Sequence, residues 1–222
     1  MQQPSLTYLL NMIAAIGALG TAAMGLVDAF KVFWGGPSNF GYGFIEAAVK
    51  RFVPNTAGGP AAFGQTDVLR TLRANWLNGV AEADQKAKAK ALIHLRLTKG
   101  DASALATLAG VDAAMLQSVA EKAITGGQVS PQEIAVLGQF DAVLSAVLDE
   151  AYERADQKYR NAAKLLSVIV ATVLALVAGS LIGANLWMSF LVGLISAPLA
   201  PVAKDLSTAL QNAVAAVRAV KG

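Results

Sequence analysis

The chain contains no cysteine and one histidine, His94. Disulfides, thiolate metal sites and a cysteine nucleophile are therefore excluded, as is a zinc centre built from several imidazoles. Charge is scarce. Asp, Glu, Lys and Arg make up 15% of the 222 residues, against about 25% in an average soluble domain. The formal net charge of +3 is too small to mark a nucleic-acid partner. No alternating apolar and polar run suggests a strand. The glycine run Gly17-Ala18-Leu19-Gly20 falls inside an apolar stretch, the wrong setting for a phosphate cradle. The serines have no histidine partner in a recognisable setting, so nothing marks an enzyme and no cofactor is implied.

Apolar residues are abundant, at 55% of the chain. Leu6 to Val27, Leu165 to Gly183 and Leu186 to Val202 carry no Asp, Glu, Lys, Arg or His. About 20 apolar residues cross a ~30 Å hydrocarbon core as a helix. The first two stretches suffice. The third is at the short limit and holds Pro198 and Pro201 near its end, so it must stand upright, thin the bilayer or re-enter it. The first stretch lacks a basic leader and exceeds a usual signal-peptide core, so it reads as a span. The alternative for the other two is the core of a soluble all-α protein, which seldom needs charge-free runs of this length. The expected fold is therefore all-α: an integral membrane protein with about three transmembrane helices, a cytoplasmic helical domain and a long stalk helix running into the second span.

Basic residues set the orientation. Lys31, Lys50 and Arg51 follow the first stretch, Lys158, Arg160 and Lys164 precede the second, and Lys204, Arg218 and Lys221 follow the third. The segment before Leu6 and the turn Gly183-Ala184-Asn185 have none. This predicts a multi-pass protein of the inner (cell) membrane with its N-terminus outside and its C-terminus cytoplasmic. Trp34, Tyr159 and Trp187 stand where interfacial aromatics belong.

Each span carries small residues four apart. They are Gly17, Thr21 and Gly25 beside Ala14, Ala18 and Ala22; then Ser167, Ala171, Ala175, Gly179 and Gly183; then Ser189, Gly193 and Ala197. Small residues on one helix face let backbones approach, which must drive association in lipid because hydrophobicity does not. These are the candidate helix-packing residues, within one chain or between copies. The spans hold no deep ionisable group, and Asn11, Thr21, Thr172 and Asn185 are their notable polar side chains. That argues against an ion-coupled transporter.

The expected organisation is 1–34 as the first transmembrane helix, 35–65 as an interfacial amphipathic helix and linker, and 66–129 as the cytoplasmic helical domain. Residues 130–164 are expected to form the stalk helix, 165–202 the transmembrane hairpin and 203–222 a C-terminal amphipathic helix. In the second segment Phe40, Phe44, Ile45, Ala48, Val49 and Phe52 recur at helical spacing, with Lys50 and Arg51 among them. Such a helix suits the inner membrane interface or a face of the soluble domain. Pro54 to Gly64 reads as a linker. Thr66 or Asp67, Asp101 and Asp112 are expected to cap helices. The strongest local signal is Ser130-Pro131-Gln132-Glu133, a serine cap, a proline at the first helical position and a glutamate that reaches back to the cap. No proline interrupts the pattern from there to Gly183, which predicts one helix of about 50 residues, with a break near Asn161 as the alternative. Beyond Pro201, the residues Ala203, Leu206, Leu210, Ala213, Val217 and Val220 form one apolar seam.

Lys86, Lys88, Lys90 and Arg96 surround His94. Near an inner leaflet each cation contributes about 1 kcal/mol towards anionic lipid, so these four are the candidate lipid-binding residues; a solvated face is the plainer reading. Residues 28–164 hold 15 basic and 14 acidic residues, so nucleic acid is not an expected partner. Asp149, Glu150, Glu153 and Asp156 spread over several helix faces, which suits a charged stalk rather than a metal or catalytic pair.

Three spans are too few for a pathway within one chain. The expected function is a non-enzymatic, homo-oligomeric membrane protein with a structural or scaffolding role. One alternative is an oligomeric channel with Asp28 and Lys31 as charged rings at its mouth. Another is a membrane-anchored adaptor that binds a protein partner or anionic lipid through its helical domain.

Overall fold

The computed structural model describes residues 6–53 and 64–221. Every regular element among them is helical. In chain order the helices are α1 (Leu6–Trp34), α2 (Tyr42–Phe52), α3 (Gln65–Leu77), α4 (Glu82–Leu95), α5 (Lys99–Ala109), α6 (Ala113–Thr125), α7 (Pro131–Leu181) and α8 (Leu186–Lys221), with a short 3-10 turn, Gly36–Phe40, before α2. The linker expected from Pro54 lies outside the described residues up to Gly64. So do the side chains of Lys31, Leu210, Ala213, Val217 and Val220.

The chain divides into two compact units. One joins Met1–Pro37 to Arg160–Gly222, and the other is Ser38–Tyr159. The helix α7 contributes to both, without a break at Asn161.

The unit Ser38–Tyr159 is a helical domain around one apolar core. Ile45, Val49 and Phe52 of α2 pack with Val68 and Leu72 of α3, Ile93 of α4, Leu105 of α5, Leu116 of α6, and Phe140, Leu144, Leu148 and Tyr152 of α7. Burial of each large side chain contributes about 1.5–3 kcal/mol. Two expectations are corrected here. First, α2 does not present its apolar face for a membrane interface; Tyr42, Ile45, Ala48, Val49 and Phe52 are buried inside the domain. An amphipathic stripe specifies that something covers it, not what does. Second, residues 130–159 are no stalk. Phe140, Leu144, Leu148, Tyr152 and Ala155 form the central stripe of the core, so the domain extends well beyond 66–129.

The helix ends follow side-chain chemistry. Thr98, rather than Asp101, caps α5, accepting from the Asp101 amide at 3.3 Å while its hydroxyl donates to the Asp101 carboxylate at 3.0 Å. Asp112 caps α6, accepting from the Met115 amide at 2.8 Å. At the start of α7 the expected reciprocal cap is present. The Glu133 amide donates to Ser130 Oγ at 3.3 Å, and the Ser130 amide donates to Glu133 Oε2 at 2.6 Å.

Glu133 does more than cap. Lys122 Nζ donates to both of its oxygens at 2.7 Å, and Ser118 Oγ donates at 2.6 Å, tying α6 to α7. Lys122 foremost, then Ser118 and the Ser130 amide, hold the carboxyl down at about 2 from an ordinary 4.5. Ionised Glu133 therefore stabilises the fold fully above pH 4.5, and this contribution is lost as the pH falls from there towards 2. Replacing Glu133 with Gln should flatten the dependence of the urea midpoint on pH across that window. An unchanged slope would contradict the assignment.

Candidate functional site

The unit formed by α1, the second half of α7 and α8 is built on small residues. Along α7, Ser167, Ala171, Ala175 and Gly179 are all buried, whereas Leu165, Ile169, Val173 and Val177, two positions out of phase, are exposed. Two residues turn a helix by about 200°, so the small and large stripes lie on opposite faces.

The small face of α7 meets α8. A Cβ added at Gly193 would overlap the Thr172 Cα and stand 3.0 Å from both the Ala171 carbonyl oxygen and the Ala175 Cβ. A Cβ added at Gly179 would overlap the Ser189 hydroxyl. Gly183 is the pivot of the α7–α8 connection, not a packing residue. It is exposed, its φ is +67°, and an L side chain there is strained. Asn185 then caps α8, accepting from the Trp187 amide at 2.9 Å.

α1 also packs on α8, but through a face that the four-residue ladder does not describe. Its buried positions are Gly17, Gly20, Ala23 and Val27. A Cβ at Gly20 would overlap the Ser196 carbonyl oxygen and lie 2.7 Å from the Ala200 Cβ. Thr21 and Gly25 are exposed; Thr21 Oγ1 donates to the Gly17 carbonyl at 2.8 Å, and nothing stands within 4 Å of a Cβ at Gly25. Ala23, Ala171 and Ala197 meet at the centre of the bundle, one from each helix. Gly20 was legible, since Gly17, Gly20 and Ala23 are spaced by three, and spacings of three and four share one helix face.

α8 runs through Pro198 and Pro201 to Lys221, so the expected boundary at 202/203 does not interrupt the helix. Each proline costs the hydrogen bond to the carbonyl four residues back. Close neighbours and hydroxyl groups make this tolerable in apolar helices.

The basic run on α4 is turned inward upon α7. Lys86 bridges Glu82 at 2.9 Å and Asp149 at 2.8 Å. Lys90 lies 3.5 Å and His94 Nε2 3.0 Å from Asp141. Lys86, Lys90 and His94 are spaced by four on α4, and Asp141 and Asp149 share one face of α7. The two helices are thus joined by a ladder of charge pairs. His94 is foremost in holding the Asp141 carboxyl below the usual range, and Asp149 foremost in raising Lys86. The ring of His94 also meets Phe140 edge-on at 6.0 Å. His94 is therefore not a solvated side chain among cations. Arg96 is only 4% exposed, so it cannot join a lipid-facing patch; Lys88 is exposed. The spacing of the lysines was readable, and so was the local pair of Lys86 with Glu82, but the α7 carboxylates lie about 50 to 60 residues further along the chain and no local pattern names them.

Burial pushes the Tyr42 hydroxyl up to about 12, with Glu46 adding to the shift, and that hydroxyl donates to the Leu69 carbonyl. Burial likewise raises Tyr152. Both act as neutral core groups at physiological pH. Asp28 is exposed at the end of the apolar part of α1. Among the described residues no group of three or more His, Asp or Glu side chains is placed to hold a metal ion.

No protein-family model, curated protein or solved structure matches this chain. Among the described residues, three long apolar helices have the length and composition to cross a membrane.

Proposed function

We propose that this is a non-enzymatic integral membrane scaffold. In this reading α1, the second half of α7 and α8 form its membrane bundle, and Ser38–Tyr159 is a cytoplasmic helical domain. The observation that carries the reading is the distribution of side-chain size in the bundle. Small residues face inward, while Met12, Leu26, Phe30, Leu165, Ile169, Val173, Leu191, Leu194 and Val202 face outward. A bundle stable in water buries its large apolar groups. One in lipid has no such need and packs on small residues instead.

The orientation follows from the basic residues, with the N-terminus and the α7–α8 turn outside. A homo-oligomer is supported by the second, outward small stripe of α1, formed by Ala14, Ala18, Thr21, Ala22 and Gly25. It is free for a helix of another copy. A channel would have to run between copies, because backbone contacts at Gly20 and Gly193, and the Ser189 side chain against Gly179, close the interior of a single bundle. An adaptor reading through the basic run is weakened by the carboxylates that already occupy Lys86 and Lys90.

The chain has no native cysteine, so single substitutions give clean topology reporters. In intact cells or oriented vesicles, a membrane-impermeant maleimide should label Ala184→Cys directly and Ser103→Cys only after permeabilisation. The reverse pattern would invert the orientation. Equal labelling of both in sealed membranes would remove the spans. A particle mass in mild detergent equal to one chain would overturn the homo-oligomer.

A further inference from the structure

A crevice of about 180 Å³ opens on the bundle between Met24 of α1, Ser167 and Val168 of α7, and Pro198 and Pro201 of α8, with Lys164 beside them. Its walls are almost wholly apolar. The one hydroxyl, Ser167 Oγ, already donates to the Ala163 carbonyl at 2.8 Å. The volume exceeds the ~150 Å³ of an apolar cavity that takes up benzene, but falls short of the ~300 Å³ at which drug-sized ligand pockets begin. It fits a segment of hydrocarbon chain rather than a whole polar metabolite.

Lys164 is the single charged residue lining the crevice. Among the described residues no carboxylate pairs with its ammonium. Every wall lies at the charged end of its apolar helix. Met24 shortly precedes Asp28, Lys164 immediately precedes Leu165, and Pro201 shortly precedes Lys204. If the bundle spans a bilayer, the crevice opens where acyl chains meet headgroups, with a cation at the headgroup level.

We propose that this crevice binds an anionic phospholipid of the inner leaflet, its acyl chain against Val168 and the two proline rings and its phosphate on the Lys164 ammonium. The inference rests on the membrane reading above and adds a bound ligand to it. Apolar walls select a chain, and the lysine selects a negative headgroup over a zwitterionic one. Loss of one cation near an anionic surface changes such a preference by about fivefold.

The test uses the full chain, reconstituted into vesicles of equal parts phosphatidylglycerol and phosphatidylcholine. Flotation is measured first. The protein is then extracted in mild detergent, and its retained lipid is counted by native mass spectrometry. The wild type should retain phosphatidylglycerol over phosphatidylcholine by about fivefold, Lys164→Gln should abolish that preference, and Lys158→Gln should leave it intact. Filling the crevice with Val168→Phe, or separately with Met24→Trp, should lower retention of both lipids. A Lys164→Gln preference equal to wild type, or full retention in both filled variants, would overturn the proposal. Competition by glycerophosphoglycerol, the headgroup without chains, would also overturn it in favour of a free phosphate ester. Failure of the wild type to float would remove the membrane reading as well, whereas flotation without retained lipid would remove only the crevice ligand.

Discussion

Gly20→Leu is expected to disrupt the three-helix bundle, while Gly25→Leu on the same helix leaves it intact. At Gly20 the new Cβ would meet the Ser196 carbonyl oxygen, with the Ser196 carbonyl carbon at 2.8 Å and the Ala200 Cβ at 2.7 Å. Two of these three atoms are backbone, which cannot rotate away. The helices must therefore separate, and separation also forfeits the contacts around Ala23 and Ala197. Overpacking a well-filled site costs about 1–3 kcal/mol and occasionally more; a leucine against backbone belongs at or above the top of that range. At Gly25 the added carbon enters open space. Single apolar helices persist in detergent even when they no longer pack, so far-UV circular dichroism should change little. The informative measurement is the fraction of protein recovered as one monodisperse species, or the midpoint of denaturation in a mixed SDS titration. Equal behaviour of the two variants would show that the α1–α8 contact is not what holds the bundle together. Gly193→Leu should resemble Gly20→Leu, because it meets the backbone of α7 at Thr172 and Ala171.

The second large effect is expected in the helical domain, where Phe140→Ala should destabilise by about 3–5 kcal/mol. Phe140 is fully buried. Its ring meets Phe52 of α2 edge-on at 6.1 Å and His94 of α4 at 6.0 Å, so its loss leaves a cavity bounded by three helices. Whole domains are stable by only about 5–15 kcal/mol, so the variant should sit close to unfolding. Ile134, on the same helix, is 59% exposed, and Ile134→Ala should stay within about 0.5 kcal/mol. Urea unfolding of the full chain in mild detergent reads the difference. Trp76, which packs against Tyr152 and Tyr159, reports on this domain once Trp34 and Trp187 are replaced by Phe. Similar midpoints for the two alanine variants would contradict the placement of Phe140 at the centre of the core.

Ile134 and Phe140 also show what a periodic pattern leaves open. Both fit a three-four spacing from Pro131 onward, yet only Phe140 is buried. A heptad-like run admits more apolar positions than one helix face can bury, and neighbours decide which are covered. On α1 the ladder of four selected Gly17, Thr21 and Gly25, of which only Gly17 is buried; the contact face is completed by Gly20, Ala23 and Val27. On α7 the same rule coincides with the buried face at Ala171, Ala175 and Gly179. The difference is physical. A helix advances 3.6 residues per turn, so a strict spacing of four drifts around the axis, and the face in contact depends on how the partner crosses.

The sequence by itself determined the helical class, the three charge-free stretches and their small-residue composition. It also determined the cap at Ser130 and Glu133 and the unbroken course of α7. Each of these rests on interactions within a few residues, or on the absence of charge over a stretch, and both are local properties. Only the tertiary structure decided that α2 and the first half of α7 belong to the domain core rather than to a membrane interface and a stalk. It alone paired Lys86, Lys90 and His94 with Asp149 and Asp141, brought Gly20 against Ser196, and opened a crevice beside Lys164. Those contacts join residues far apart in the chain. An amphipathic face, a cation or a glycine states only that a partner is wanted, and the packing of distant helices supplies it.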